Sequence, residues 1–101
     1  MTSLALVTYG ARETKAATIT TGAVVAYAGL AFTHTGTPRR ITITAGANPV
    51  RITWSATDPT ATLGHYIAAN ENYVLDGVAN IANLRMLALT GNSVITATIE
   101  N

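Results

Sequence analysis

The clearest shortages in this 101-residue sequence are of cysteine and of charge. Without cysteine the chain has no disulfides, no thiolate nucleophile and no thiolate metal ligand. Charged residues make up 11% of the chain and the net charge is +1, whereas an average soluble domain has about 25% charged residues. So small a net charge argues against a nucleic-acid partner, and a weakly charged surface favours association. We therefore expect a homo-oligomer or a subunit of a larger assembly. The alternative is a monomer with a surface of Thr, Ser and Asn.

A long hydrophobic run is also missing. Residues 16–38 carry no formal charge, but the apolar centre of this stretch, residues 23–32, is only ten residues long. A membrane-spanning helix needs about 20 predominantly apolar residues. We therefore expect no membrane-spanning segment and no membrane partner.

What the sequence does contain is a series of short alternating segments. In residues 39–45, Ile41 and Ile43 alternate with threonines, and in residues 50–55, Val50, Ile52 and Trp54 alternate with polar residues. Such alternation is typical of strands with one buried face. The turn at residues 46–49 predicts that these two strands form a hairpin. Residues 84–99 hold two further apolar runs around Thr-Gly-Asn-Ser, which predicts a second antiparallel hairpin.

About eight short strands separated by turns follow from this pattern, with no convincing helix and no repeat. The sequence therefore predicts an all-β chain forming one domain over residues 1–101, a small antiparallel β-sandwich or jelly-roll-like barrel. Residues 36–100 are its best-defined core. Residues 57–64 show no regular spacing of apolar residues and are predicted to be a surface loop.

The first third of the chain lacks this alternation. Small apolar residues occur there in blocks, as in a strand covered on both faces or an arm lying on a partner. We predict an N-terminal arm over residues 1–15, with a solvated turn or mobile segment at residues 10–15. The intersubunit contacts are predicted at Leu4, Leu6, Tyr9, Val24, Val25 and Tyr27. The alternative is that residues 16–32 supply central strands of the sandwich.

Candidate catalytic and metal-binding residues are few and scattered. Neither His34 nor His65 has a nearby carboxylate at a metal-ligand spacing, so both are expected to be surface or interface histidines. Glu71 and Asp76 lie close in sequence, but each flanks a predicted turn, and nothing pairs them as a glycosidase would. No nucleophile elbow or phosphate-binding glycine loop occurs. We predict no enzyme activity, no metal and no cofactor.

Three aromatic residues, Trp54, Tyr66 and Tyr73, are candidates for a sugar-binding platform, because aromatic faces stack on apolar ligand faces. Trp54 shares its predicted strand face with Val50 and Ile52, which favours a tryptophan in the core. Both tyrosines are expected at strand ends with their hydroxyls outward.

Residues 36–45, followed by residues 49–54, resemble the first hairpin of many small structural proteins of tailed bacteriophages. In those proteins a loop ending in Gly, a polar turn carrying Glu, a strand and a closing "Leu-Arg-x-Leu-x-x-Thr-Gly-Asn" hairpin follow. The matching residues here are Gly64, Asn70-Glu71-Asn72, Tyr73-Val74-Leu75 and residues 84–99. The resemblance covers residues 36–100, and the first 35 residues match no pattern of this kind.

One position departs from that pattern. The relatives often have Pro-Gly-Glu or Ala-Gly-Glu at the polar turn, where this chain has Ala69-Asn70-Glu71. Asn also adopts the left-handed conformation, so we expect the turn to be kept.

The resemblance implies a virion component with no cofactor and no reaction. The proteins that the chain resembles are head decoration or cement proteins, which stabilise the capsid, and small tail or fibre-adaptor subunits. The implied partners are other virion proteins, such as major capsid or tail subunits. We predict a virion structural subunit, with the head role ahead of the tail role. The alternative from another class is a carbohydrate-binding β-sandwich module, which would need an exposed Trp54; we rank glycan binding below the structural role.

Overall fold

The computed structural model describes residues 9–101, which form eight strands, one short α-helix and one 3-10 turn. The helix α1 is Val78–Ala82, and the 3-10 turn is Tyr27–Leu30. The strands are β1 (Ala11–Ile19), β2 (Val25–Ala26), β3 (Arg40–Thr44), β4 (Val50–Thr53), β5 (His65–Ile67), β6 (Asn72–Asp76), β7 (Arg85–Ala88) and β8 (Ser93–Glu100). The predicted all-β class and strand number are confirmed. The five-residue helix α1 was not predicted.

The strands form two antiparallel four-stranded sheets. The first sheet has the order β1-β8-β3-β6 and the second β2-β7-β4-β5. The first strand pairs with the last, the second with the seventh, the third with the sixth and the fourth with the fifth. This nested pairing describes one long hairpin that is rolled up until β8 also meets β3 and β7 also meets β4. That is the topology of a double-sheet jelly roll.

Both predicted hairpins are wrong, because the two arms of each lie in different sheets. β3 belongs to the first sheet and β4 to the second, while β7 belongs to the second and β8 to the first. The turns between them therefore carry the chain across the sandwich, so that the arms face each other through side chains. Among the described strands, only β4 and β5 are neighbours in both sequence and sheet.

Three of these crossing segments are tied together at one end of the sandwich. Ser93 is fully buried, and its Oγ accepts the Gly46 N–H (2.9 Å) and donates to the Asn48 carbonyl (2.7 Å). The Asn70 N–H donates to the Gly46 carbonyl (3.0 Å). Gly46 has to be glycine here, because an added Cβ would lie 2.4 Å from the Val94 carbonyl oxygen.

The core lies between the two sheets and contains the residues that alternation predicted. Ile41, Ile43, Val50 and Ile52 are all fully buried. Neighbouring strands bring further buried side chains: Ile19, Leu30, Ala45, Ile67, Leu75, Ile81, Leu84, Met86, Ala88, Ile95, Ala97 and Ile99.

Residues 11–15, predicted as a turn or mobile arm, instead belong to β1, which pairs with β8 along its length. Alternation places Glu13, Lys15 and Ala17 on the same face of β1 as the buried Ile19. Of the arm predicted over residues 1–15, residues 1–8 lie outside the described residues. Residues 25–26 form β2 and residues 27–30 the 3-10 turn, whereas residues 23 and 24 are irregular.

The two inward charges of β1 are satisfied by a neighbouring segment of chain. The Glu13 carboxylate accepts the N–H groups of Thr33 (2.8 Å) and His34 (2.7 Å), and the Lys15 ammonium donates to the Ala31 carbonyl (2.9 Å). The hydrogen bonds that Glu13 accepts, of which that from the Thr33 N–H has the largest effect, lower the pKa of Glu13. Segment 31–34 thereby covers the inner side of this edge strand.

The polar turn before β6 keeps the conformation that its sequence predicted. Asn70 has φ 64°, in the left-handed region, which Asn adopts more readily than most residues. No helix within residues 9–101 is long and apolar enough to cross a membrane.

Candidate functional site

The connection between β4 and β5 borders a cleft of about 400 Å³. Its walls are residues 53–55, Thr57 and residues 63–65. This volume lies within the range of about 300–1,000 Å³ that is usual for small-ligand sites.

Trp54 and His65 form the aromatic wall of the cleft. Their ring centroids are 4.3 Å apart and their planes are inclined by 15°. His65 lies opposite Ile52 in the β4–β5 ladder, so the two side chains share the inner face of the sheet. Trp54 follows Ile52 by two residues and lies beyond the last residue of β4, Thr53. The indole is therefore only half-buried at the rim of the core, not inside it as predicted.

Tyr73 adds a third ring from the other sheet. Its centroid is 5.8 Å from that of Trp54 and 6.5 Å from that of His65. Rings on opposite faces of the indole would be farther apart than this, so Tyr73 stands beside the stack and does not sandwich it. Because β5 and β6 are edge strands of their sheets, this aromatic cluster closes the core at that edge.

Arg51 holds the loop that forms the other wall. Its guanidinium donates to the carbonyls of Ala61 (3.1 Å) and Gly64 (2.9 Å) and lies over the Tyr66 ring at 5.4 Å. Gly64 has φ 127°, a conformation that favours glycine. The loop therefore meets β5 in a fixed geometry.

Further bonds fix the rest of the loop. The Thr53 hydroxyl donates to the Thr57 carbonyl (2.5 Å), and Arg85 of β7 pairs with Asp58 (2.5 Å). The Thr60 hydroxyl accepts the Leu63 N–H (2.9 Å). Although residues 54–64 have no regular secondary structure, hydrogen bonds and an ion pair attach them to strands β4 and β7. The cleft that they border is therefore preformed.

The lining of the cleft contains no Asp, Glu, Lys or Arg. Trp54 and Leu63 supply apolar surface, and Leu63 is 50% exposed. Ser55 and Thr57 supply exposed hydroxyls. The arrangement offers groups for binding an uncharged ligand with one apolar face.

The predicted aromatic platform is brought together only in part. Trp54 and Tyr73 meet, but Tyr66 lies on the outer face of β5 and is 54% exposed. His65 was not expected at this site. Its partner in the ladder, Ile52, is separated from it by a long loop, and no local sequence signal shows that pairing.

The candidate catalytic residues do not converge. Glu71 immediately precedes β6, and Asp76 is the last residue of β6. Roughly 16 Å of extended chain therefore separates them. Asp76 instead pairs with Arg40, and this hydrogen bond lowers the pKa of Asp76. His34 lies at the β1 edge, where its backbone N–H donates to Glu13. Within residues 9–101, no group of three metal-ligating side chains occurs. The absence of enzyme activity stays a prediction.

The predicted intersubunit residues have different surroundings. Val25 and Tyr27 are half-buried and pack against the core, and Val24 is half-buried. The Arg40 guanidinium lies over the Tyr9 ring at 4.9 Å. Leu4 and Leu6 lie outside the described residues. A role for these positions in contacts between subunits stays a prediction.

The outer face of the first sheet is a second candidate surface. Strand register places a hydroxyl at most of its positions: Thr14 pairs with Thr98, and Thr98 in turn with Thr42. We call this surface the threonine face. It consists of Thr14, Ala16, Thr18, Thr42, Thr44, Asn72, Val74, Val94, Thr96 and Thr98.

The threonine face carries no charge over its whole middle. Charged residues occur only at one end, where Arg40 is opposite Glu100 and Asp76. Val74 and Val94 are 53% and 58% exposed, so apolar groups lie beside the hydroxyls. Such a surface is unusual for a side of a sheet that faces water, where charged residues are common.

Comparison with protein-family models, with curated proteins and with solved structures finds no match for this chain. Its fold is therefore assigned from strand order and register. Its function has to be inferred from the cleft and the threonine face.

Proposed function

We propose that this chain is a structural subunit of a bacteriophage virion, and in first place a head decoration or cement subunit that stabilises the capsid. The observation that carries this proposal is the threonine face, an exposed sheet surface without charge. The sequence of residues 36–100 also resembles small phage structural proteins, although the two hairpins that belong to that resemblance are not formed in this chain.

The threonine face suits protein–protein contact for a physical reason. Burying a charged surface requires removal of tightly held water, and this face avoids that cost because its middle has no charged group. Threonine and valine are also β-branched and lose little rotamer freedom when they become buried. Exposed side chains such as Val94 and Thr96 can therefore pack on a partner without the cost of burying charge, and a suitable partner supplies hydrogen bonds to the threonine hydroxyls that become buried.

The size of this face favours many weak contacts over one strong one. Four strands and about six residues of length give roughly 20 Å by 20 Å, or about 400 Å². A stable interface takes about 800 Å² from each partner. A single copy would thus bind weakly through this face alone, and association of copies with one another would raise the overall affinity by multivalency. We therefore expect the subunit to bind particles as an oligomer.

Fold type gives secondary support. Double-sheet jelly rolls include viral capsid domains, but also lectins and cupins, so the topology agrees with the proposal without deciding it.

The first experiment addresses location. Virions are purified by density gradient from a culture that produces the phage carrying this gene, and peptides of the chain are quantified by mass spectrometry. We expect a constant ratio to the major capsid protein across the particle peak, with antibody label on the heads. Label on tails would support the adaptor role instead, and absence from particles would overturn the proposal.

The second experiment addresses the surface. Thr96, exposed at the centre of the threonine face, is replaced by lysine, and the matched control is Thr62→Lys on the exposed β4–β5 loop. Both proteins should fold, since both side chains face water. We expect Thr96→Lys to lose binding to particles that lack the chain, and Thr62→Lys to bind like the wild type. Equal binding of both would exclude the threonine face as the contact.

A further inference from the structure

We propose that the cleft beside Trp54 and His65 binds a neutral sugar, with one pyranose ring stacked on this aromatic pair. The cleft is built from the second sheet and its loop, whereas the threonine face belongs to the first sheet. The inference therefore does not rest on the proposed virion role, and both activities can coexist in one subunit.

The stacked pair supplies the apolar half of the site. A pyranose ring has a face of C–H groups, and the negative π-face of an aromatic ring attracts such a face while removing apolar surface from water. His65 is exposed and already lies flat on Trp54 at 4.3 Å. A sugar ring can extend this stack because both rings border the cleft.

Hydroxyl groups supply the polar half. Ser55 and Thr57 line the cleft and are exposed, and a hydroxyl both donates and accepts hydrogen bonds, as the hydroxyls of a sugar do. No Lys or Arg lines the cleft to neutralise an acidic sugar, and the nearby Asp58 is already paired with Arg85. The lining thus favours a neutral hexose over an acidic one.

The fixed loop makes binding feasible for a small ligand. Preformed sites bind better because ordering of the site does not oppose binding. Arg51 and Thr53 hold the loop at Ala61, Gly64 and Thr57 before any ligand arrives. For a ligand of this size we expect a dissociation constant of about 1 mM.

The chain carries its own probe for this test. Trp54 is its sole tryptophan, so indole fluorescence, excited at wavelengths that the four tyrosines do not absorb, reports on the cleft. The protein is titrated with methyl glycosides of glucose, galactose, mannose and N-acetylglucosamine, and with their β- and α-linked disaccharides, in parallel with glucuronic acid. We expect a saturable fluorescence change with at least one neutral sugar, and ¹⁵N–¹H shift changes confined to residues 53–57 and 63–65.

Two matched variants test the stacking. His65→Ala removes the exposed ring of the pair, and His34→Ala removes the same kind of ring at the β1 edge, where the backbone N–H of His34, which the substitution keeps, donates to Glu13. We expect His65→Ala to weaken binding by about tenfold or more and His34→Ala to change it by less than about twofold. Circular dichroism confirms that both are folded.

Three outcomes would overturn the proposal. One is no saturable change with any sugar up to about 20 mM. Another is equal loss of binding in the two variants. The third is tighter binding of glucuronic acid than of every neutral sugar. None of these outcomes would affect the particle-binding test of the threonine face.

Discussion

Replacing Ser93 with alanine removes two of the hydrogen bonds that join the crossing segments at one end of the sandwich. Its hydroxyl is fully buried and contacts the Gly46 N–H at 2.9 Å and the Asn48 carbonyl at 2.7 Å. The substitution leaves both backbone groups without this partner. It removes a single oxygen atom, so any cavity it creates is small.

The expected cost follows from those two groups. Leaving a buried polar group without a partner costs about 1–3 kcal/mol. Gly46 and Asn48 are half-buried, so water replaces part of what is lost, and we expect the free energy of unfolding to fall by about 2 kcal/mol in total. For a domain of about 100 residues this corresponds to a melting temperature lower by about 8–16 °C.

The measurement is thermal and urea unfolding followed by circular dichroism. The matched control is Ser55→Ala, since Ser55 is exposed, and a surface substitution of this kind is expected to change stability by less than about 0.5 kcal/mol. In a simple hairpin of β7 with β8, Ser93 would lie in a solvated turn and behave like Ser55. If the two variants have the same stability, the buried junction between crossing segments is refuted.

Three other predictions concern single interactions. Glu13→Gln should lower the urea midpoint most at neutral pH. Folding lowers the pKa of Glu13, so the stabilisation by its carboxylate is present above the ordinary pKa of 4.5 and disappears as the pH falls below it. A pH-independent difference between the two proteins would contradict the hydrogen-bonded carboxylate. Arg51→Ala should accelerate amide hydrogen exchange in residues 61–64 but not in β3; unchanged exchange would show that other bonds hold the loop. Ile43→Ala should cost about 2–5 kcal/mol in urea unfolding, and Val94→Ala, at an exposed site, should cost far less; equal costs would contradict the inward face of β3.

The sequence predicts the strands much better than their partners. Alternation identifies β3 and β4 and the inward position of Ile43 and Ile52, because each strand has one face in the core. A Gly- or Asn-containing turn, however, reverses the chain equally well within one sheet or between two. The choice depends on partners such as β1, which reaches β8 from the far end of the chain. That information is not local, and the hairpin predictions failed for this reason.

Charge misleads at β1 for a related reason. Glu13 and Lys15 in a short segment are typical of a solvated turn, yet both occupy inward positions of a strand. They are tolerated because β1 is an edge strand and backbone groups of residues 31–34 satisfy them. Nothing in residues 10–15 themselves indicates that cover.

The cleft could be foreseen only in part. Alternation correctly predicts that Trp54 is directed toward the core, since the indole packs against it, although Trp54 lies one residue beyond the end of β4 and is only half-buried. The exposure of Trp54 and its contact with His65 depend on where β4 ends and on how a long loop returns. The alternation of apolar and polar residues does not indicate where β4 ends or in which register β5 pairs with it.

The nested strand pairing has a consequence for how the chain is made. A ribosome releases β1 first and its partner β8 last, and Gly10 and Asn101 exchange backbone hydrogen bonds of 3.0 and 3.1 Å at the end of that ladder. Throughout synthesis the unpaired groups of β1 can therefore join another nascent chain. Glu13 and Lys15 oppose such an association, since stacking in a foreign sheet would bury both charges. Glu13 and Lys15 thus disfavour association of β1 with other chains until its own partner, β8, has been synthesised.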